Sequence, residues 1–140
     1  MSGTPKHSVS VAGVVVDDDN RVLVIRRDDN GAWQAPGGVL ELDESFQEGV
    51  AREVFEETGL KVSVEHLTGV YKNISLGVVA LVFRCVPIGG EIRRTAEARD
   101  VCWMTTAQVK AVMTPAFAVR VLDAFADQIH TRTHDGTNLL

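Results

Sequence analysis

With 140 residues and a formal net charge of −5, the chain has the length of one domain and lacks the broad basic surface that nucleic-acid polymers or anionic membranes require. Hydrophobic residues make up 45% and charged residues 24%, which is enough to build a core, and no run approaches the roughly 20 apolar residues of a membrane-spanning helix. An anionic ligand therefore needs local compensation, from bound cations or a few arginines.

The beginning, Met1-Ser2-Gly3-Thr4-Pro5-Lys6, has no apolar signal-peptide centre, so a cytoplasmic location is expected. Ser8 to Val16 is rich in β-branched residues, Asp17-Asp18-Asp19-Asn20 interrupts it, and Val22 to Ile25 resumes it, a pattern that predicts a β-hairpin. Asp28 to Gly31 is a second turn cluster, and Pro36-Gly37-Gly38 marks a tight turn with little side-chain bulk. From Ser45 the periodicity becomes helical. Ser45 and Glu48 have capping-box spacing, Phe46, Val50 and Val54 recur every four residues, and Gly59 suits the left-handed residue that ends a helix. A helix over roughly 46–58 follows.

Strands are expected at Val62 to Val64, Leu67 to Tyr71 and Gly77 to Val86, the last ended by Pro87-Ile88-Gly89-Gly90. Val101 to Met104 reads as another short strand. Thr105 or Thr106 caps a short helix reaching Met113, and Thr114 caps a further one, with Pro115 in its first position, running to about Ile129. The polar tail 131–140 is expected to be frayed and flexible. Cys85 and Cys102 lie in apolar, strand-like runs and read as buried reduced thiols. Strands interleaved with three helices predict a single α/β domain over 1–140, a sandwich built on a mixed β-sheet.

The chemistry is concentrated on the 46–58 helix. Glu53, Glu56 and Glu57 stand at i, i+3 and i+4, so one turn carries three mutually repelling carboxylates. At about 100° per residue, Glu57 projects between Phe46 and Val50, with Glu53 beside them, on the face expected to meet the core. A carboxylate there is costly unless paired, protonated or bound to metal, and hard divalent ions relieve both burial and repulsion. A solvated acidic face is the alternative.

The stretch Gly38 to Leu60 resembles the Nudix box, G-x5-E-x7-R-E-U-x-E-E-x-G-U with U aliphatic. Gly38, Glu44, Arg52, Glu53, Val54, Glu56, Glu57, Gly59 and Leu60 fill every specified position. Trp33-Gln34-Ala35-Pro36-Gly37-Gly38 is similar to the lead-in of that family, and Trp103 to a late tryptophan in it. Asp43 departs from the glycine many relatives carry there. The resemblance implies a Nudix-like α/β/α sandwich with a catalytic loop-helix-loop, and hydrolysis of a nucleoside diphosphate derivative, a nucleoside triphosphate or an ADP-ribose-like compound, by attack of water at phosphorus.

By the same resemblance, Glu53, Glu56, Glu57 and the Gly37 carbonyl are expected to hold Mg²⁺, with Mn²⁺ as a substitute. Arg52 orients the carboxylates with Glu44 as its partner, the alternative being a surface ion pair. Glu53 is the first choice of general base and Glu97 the second, and Gly38 lets the loop approach substrate closely. Arg26 and Arg27 end a strand on opposite faces; either can meet phosphates, with Arg26 slightly preferred. Tyr71, Lys72 and Asn73 form a polar cluster between strands, part of a pocket or simply a loop, and Trp33 reads as core packing ahead of base stacking. Relatives are often dimers, so a homodimer is compatible with the apolar strands. A nucleotide-binding module without hydrolysis is the competing reading.

Overall fold

The computed structural model describes residues 3–140. Its strands are β1 (Ser8–Val15), β2 (Val22–Arg27), β3 (Trp33–Gln34), β4 (Gly37–Val39), β5 (Leu60–Asn73), β6 (Val78–Gly90), β7 (Ala98–Met104) and β8 (His130–His134), and its helices α1 (Phe46–Thr58), α2 (Thr106–Val112) and α3 (Pro115–Asp123). A five-stranded mixed sheet has the order β4-β1-β6-β5-β8, and a three-stranded sheet the order β3-β2-β7. The expected α/β architecture with a mixed sheet is present; the second, antiparallel sheet adds to it.

The expected hairpin is corrected. The turn forms, with Asp17 N–H on the Arg21 carbonyl at 3.0 Å, but β1 and β2 share only the bridge Val16 to Val22 and then part into different sheets. Val11, Val14 and Val15 on β1 and all of Val22 to Ile25 on β2 are fully buried. Strands apolar on both faces need cover on both and lie inside sheets. Each accordingly takes a central place, β1 between β4 and β6, β2 between β3 and β7.

Alternation along β1 assigns its two faces. Val11 and Val15 pack with Val50 and Val54 of α1, with Leu23, Phe83 and Cys85, while Ala12, Val14 and Val16 join Val109 of α2, Met113 just after it, and Ala118 and Val121 of α3. Helices thus cover both sides. At Gly13 a Cβ would meet Val54 Cγ2 at 3.0 Å and Val50 Cγ1 at 3.1 Å, so the missing side chain sets how closely α1 approaches.

α1 begins and ends as its sequence demands. Ser45 accepts from the Glu48 amide, Glu48 answers to the Ser45 amide, and Gly59 closes the helix at φ 82°. Phe46 is a correction: it is 45% exposed, because it sits in the first turn, before the helix reaches the sheet, so Val50 and Val54 alone carry the apolar stripe.

The two strands expected between Val62 and Tyr71 are one 14-residue strand, β5, whose register against β6 shifts at three bulges. β6 continues through Pro87 to Gly90; β1 leaves it at Cys85, and proline is tolerated on a stretch that has lost one neighbour. α3 stops at Asp123, short of Ile129, and Thr114 makes no side-chain cap.

The frayed tail is also corrected, since His130–His134 forms β8, parallel to Gly69–Asn73 of β5. Its polar composition hid it. Arg132 chelates the buried Asp123 carboxylate at 2.8 and 2.9 Å, and His134 is fully buried, so this strand is docked by polar partners that an apolar pattern does not register.

Candidate active site

Glu53 and Glu57 leave α1 on the side that packs against β4, and both are buried, at 8% and 5% exposure. Glu97 comes from the loop before β7. One carboxylate oxygen from each of Glu53, Glu57 and Glu97 lies within 4.8 Å of the others. That loop is pinned near the end of α1: the Thr95 hydroxyl donates to the Glu57 carbonyl at 3.4 Å and the Arg93 amide to the Thr58 carbonyl at 2.9 Å. A further bond, from the Asp28 amide to the Glu97 carbonyl at 3.2 Å, ties it to the end of β2.

Burial pushes the Glu57 carboxyl up to about 8, against a stabilising bond from the Gly37 amide and with Glu53 and Glu97 adding repulsion. The Gly37 N–H reaches Glu57 Oε1 at 2.7 Å, which ties the glycine lead-in to the carboxylate cluster. Burial also raises Glu53, partly offset by the Arg52 guanidinium. Two adjoining buried acids, one with its proton affinity raised into the neutral range, form an oxygen-donor set suited to a hard divalent cation.

Arg52 organises the outer side. Its Nε and Nη2 hold Glu44 at 2.9 and 2.6 Å, and its Nη1 contacts Glu53 at 2.8 Å and Glu56 at 3.3 Å. Nη2 also donates to the Val39 carbonyl at 3.2 Å, tying α1 to the end of β4. The Arg52 guanidinium holds Glu44 down at about 2, and the Glu41 amide helps. Glu44 is therefore a permanent anion. Glu56 lies on the exposed flank and is not among the three clustered carboxylates.

The glycines fit the acids closely. A Cβ at Gly38 would stand 2.7 Å from the Glu53 carboxylate, and one at Gly37 2.5 Å from the Val11 carbonyl. Gly37 excludes a side chain because backbone stands in the way, whereas a side chain at Gly38 would displace the movable Glu53 carboxylate, both at φ values open to any residue.

A cavity of about 230 Å³ adjoins these glycines, bounded by Arg27, Gly37, Gly38, Asn73, Phe117 and Arg120 among others. Of the arginine pair, Arg27 lines it and Arg26 does not, which reverses the expected preference. Arg26 is engaged elsewhere, with Nε on the Gly31 carbonyl at 3.0 Å and its guanidinium over the Trp33 ring. Trp33 is half-buried against the core, as packing required. Arg27 holds the exposed Asp29 at 2.6 Å, a contact it can exchange. The polar cluster divides: Tyr71 is buried in the core with its hydroxyl on Asp123, Lys72 lies within β5, and Asn73 lines the cavity.

Three residues escaped the sequence reading. Arg120 lies in the apolar run Ala116 to Leu122, Phe117 shares that helix, and His134 sits on the unexpected strand β8. A cation at the buried edge of an apolar helix was the available signal for Arg120.

The arrangement resembles known proteins. A family model described as NUDIX domain matches residues 6–125. A MutT-like protein of Streptomyces ambofaciens is 57% identical over 137 residues, covering 97% of this chain and 89% of its own. An ADP-ribose pyrophosphatase of Methanocaldococcus jannaschii is 37% identical over 100 residues, covering 66% of this chain and 59% of its own. The crystal structure of a MutT protein from Methanosarcina mazei Go1 superposes with a TM-score of 0.74 at 27% identity, over 86% of this chain and 94% of that one.

Proposed function

The chain belongs to the NUDIX domain family and is a Nudix pyrophosphohydrolase, and from that premise we propose that it cleaves a diphosphate bond in a nucleoside diphosphate derivative by attack of water at phosphorus. The observation that carries this reading is the trio Glu53, Glu57 and Glu97, with oxygens within 4.8 Å of one another, beside a cavity lined by Arg27, Gly37 and Gly38. Nucleoside triphosphates and ADP-ribose-like compounds are the substrates in view, in keeping with the names of its relatives.

Glu53, Glu56, Glu57 and Glu97, with the Gly37 carbonyl, would hold a divalent cation, Mg²⁺ or Mn²⁺ in its place, which would supply neutralisation of the diphosphate and a lowered pKa for the attacking water. The chain's own groups do the rest. Arg52, fixed by Glu44, holds one oxygen of Glu53 and leaves the other to accept the proton of the attacking water, which makes Glu53 the general base. Glu97 completes the carboxylate set from its pinned loop. Arg27 exchanges Asp29 for a substrate phosphate, and Gly38 admits the substrate where a side chain would displace Glu53. Residues 1–140 act as one catalytic domain, in the cytoplasm, with a small nucleotide and no nucleic-acid polymer or membrane as partner, alone or as a homodimer.

The test is a broad panel of nucleoside triphosphates and dinucleoside or sugar diphosphates, assayed with Mg²⁺, with Mn²⁺ and with chelator. Metal-dependent release of phosphate, pyrophosphate or a nucleoside monophosphate from at least one compound is expected. Tight binding of one nucleotide with no turnover of any compound would replace this reading with a nucleotide sensor.

A further inference from the structure

Arg120 is a cation for which the described residues provide no acceptor. Its Nε is buried without a hydrogen-bond partner, and no carboxylate stands within ion-pair distance of it among the described residues. Among the described residues the polar group it contacts at hydrogen-bond distance is His134, with Nη2 3.1 Å from Nε2. The imidazole cannot serve as that acceptor. The Gly136 amide donates to His134 Nδ1 at 3.0 Å, so a neutral ring carries its proton on Nε2 and presents a donor to the guanidinium. Burial lowers the Arg120 pKa to about 10, which still leaves it charged at neutral pH. The Phe117 and Tyr71 rings, 4.7 and 5.2 Å from the guanidinium carbon, support the cation by their faces but offer no lone pair in its plane.

Arg120 is half-buried, and holding its Nε out of water without an acceptor has a cost that is removed when a bound group supplies the missing lone pair. Arg120 lines the cavity whose boundary includes Gly37 and Gly38, the two residues in contact with the catalytic carboxylates. What enters there is continuous with what is cleaved. At about 230 Å³ the cavity is smaller than the ~300 Å³ lower end of pockets that enclose a whole ligand, so it takes one part of the substrate. Val78, Ala80, Val82 and Phe117 give it apolar walls suited to a flat ring.

We propose that Arg120 is a specificity-determining residue and that it reads the acceptor edge of a nucleobase, taking a 6-oxopurine in preference to a 6-aminopurine. The proposal rests on the diphosphate-hydrolase reading above for its reaction, though not for its binding. The guanidinium has donors only, and the N7 and O6 of guanine or hypoxanthine are both acceptors that its fork meets at once. Adenine offers N7 but sets an amino donor against the second arm.

The experiment compares GTP, ITP and ATP as substrates of the full chain, and GMP, IMP and AMP as ligands by calorimetry in chelator. ITP and IMP isolate the oxo group from the 2-amino group. The wild type is expected to favour GTP and ITP over ATP by roughly 10- to 100-fold in kcat/KM, mostly through KM, with the same order in Kd for the monophosphates. Arg120→Met keeps the packed stem and removes the unpartnered charge, so its Tm is expected to hold or rise while the preference falls to within about threefold. Arg120→Lys retains a cation without the fork and is expected to lose most of the preference too, which keeps the test open should R120M fail to fold. Equal or reversed wild-type preference, or a preference that survives both substitutions, overturns the proposal. Oxopurine-selective binding that R120M abolishes, with no turnover of any nucleotide, sustains it and discards the hydrolase reading instead; turnover with no such selectivity does the opposite.

Discussion

Glu57 is the residue whose burial is hardest to maintain without a cation. Its carboxyl is raised to about 8 from an ordinary value near 4.5, so the metal-free fold is most stable below about pH 4.5 with respect to this group. That contribution is lost as pH rises toward 8, when the buried acid must ionise. The loss amounts to a few kcal/mol. Thermal melts in chelator are expected to show Tm falling between pH 5 and 8 more steeply in the wild type than in Glu57→Gln. Added Mg²⁺ should raise the wild-type Tm more at pH 8 than at pH 5; equal shifts at both would separate Glu57 from the cation. Gly38 makes a second residue-scale test. A Cβ there meets the flexible end of Glu53 and no backbone, so Gly38→Ala is expected to keep Tm within a few degrees while kcat/KM falls at least tenfold and half-saturation by Mg²⁺ moves upward. The acids, their spacing and the glycine were legible in the order of residues, and Glu97 was named by resemblance; that its carboxylate converges with Glu53 and Glu57 while Glu56 stays on the exposed flank took the fold, because a loop and a helix meet only after folding.

At the scale of elements, α1 is the part of the molecule most completely written in local sequence. A capping box, a spaced apolar stripe and a left-handed glycine act within a few residues of one another, and the helix runs from Phe46 to Thr58 as its periodicity predicts. Ser45→Ala removes the acceptor for the Glu48 amide and is expected to cost about 1 kcal/mol in urea unfolding, with little change in KM. A cost near zero would mean that packing against β1 alone fixes the helix start. Strands were legible as strands but not as partners. The apolar, β-branched runs of β1 and β2 on either side of a turn are compatible with a hairpin, and their separation into two sheets follows from the need of each to be covered on both faces. β8 was missed because it is held by Arg132 on Asp123 and by a buried histidine, with little apolar surface of its own.

Across the whole molecule, the ending of the chain links the sheet to the cavity. Asp123 is buried and would be raised by that burial, yet Arg132 and the Tyr71 hydroxyl together hold it below its ordinary value. Removing the cation leaves a buried anion, so Arg132→Ala is expected to cost about 2 to 3 kcal/mol in urea unfolding, discounted for the partial exposure of Arg132. The same variant with Asp123→Asn is expected to recover part of that loss. No recovery would show that β8 is held by its ladder and not by the pair. The sequence by itself determined the α/β class, the capped helix, the full Nudix box and the glycine lead-in, since each depends on spacing between near neighbours. Only the tertiary structure decided which carboxylates converge, which arginine lines the cavity, and that Arg120 faces it without an acceptor. Those outcomes depend on contacts between segments tens of residues apart, where burial and hydrogen-bond satisfaction, and not local periodicity, select the partner.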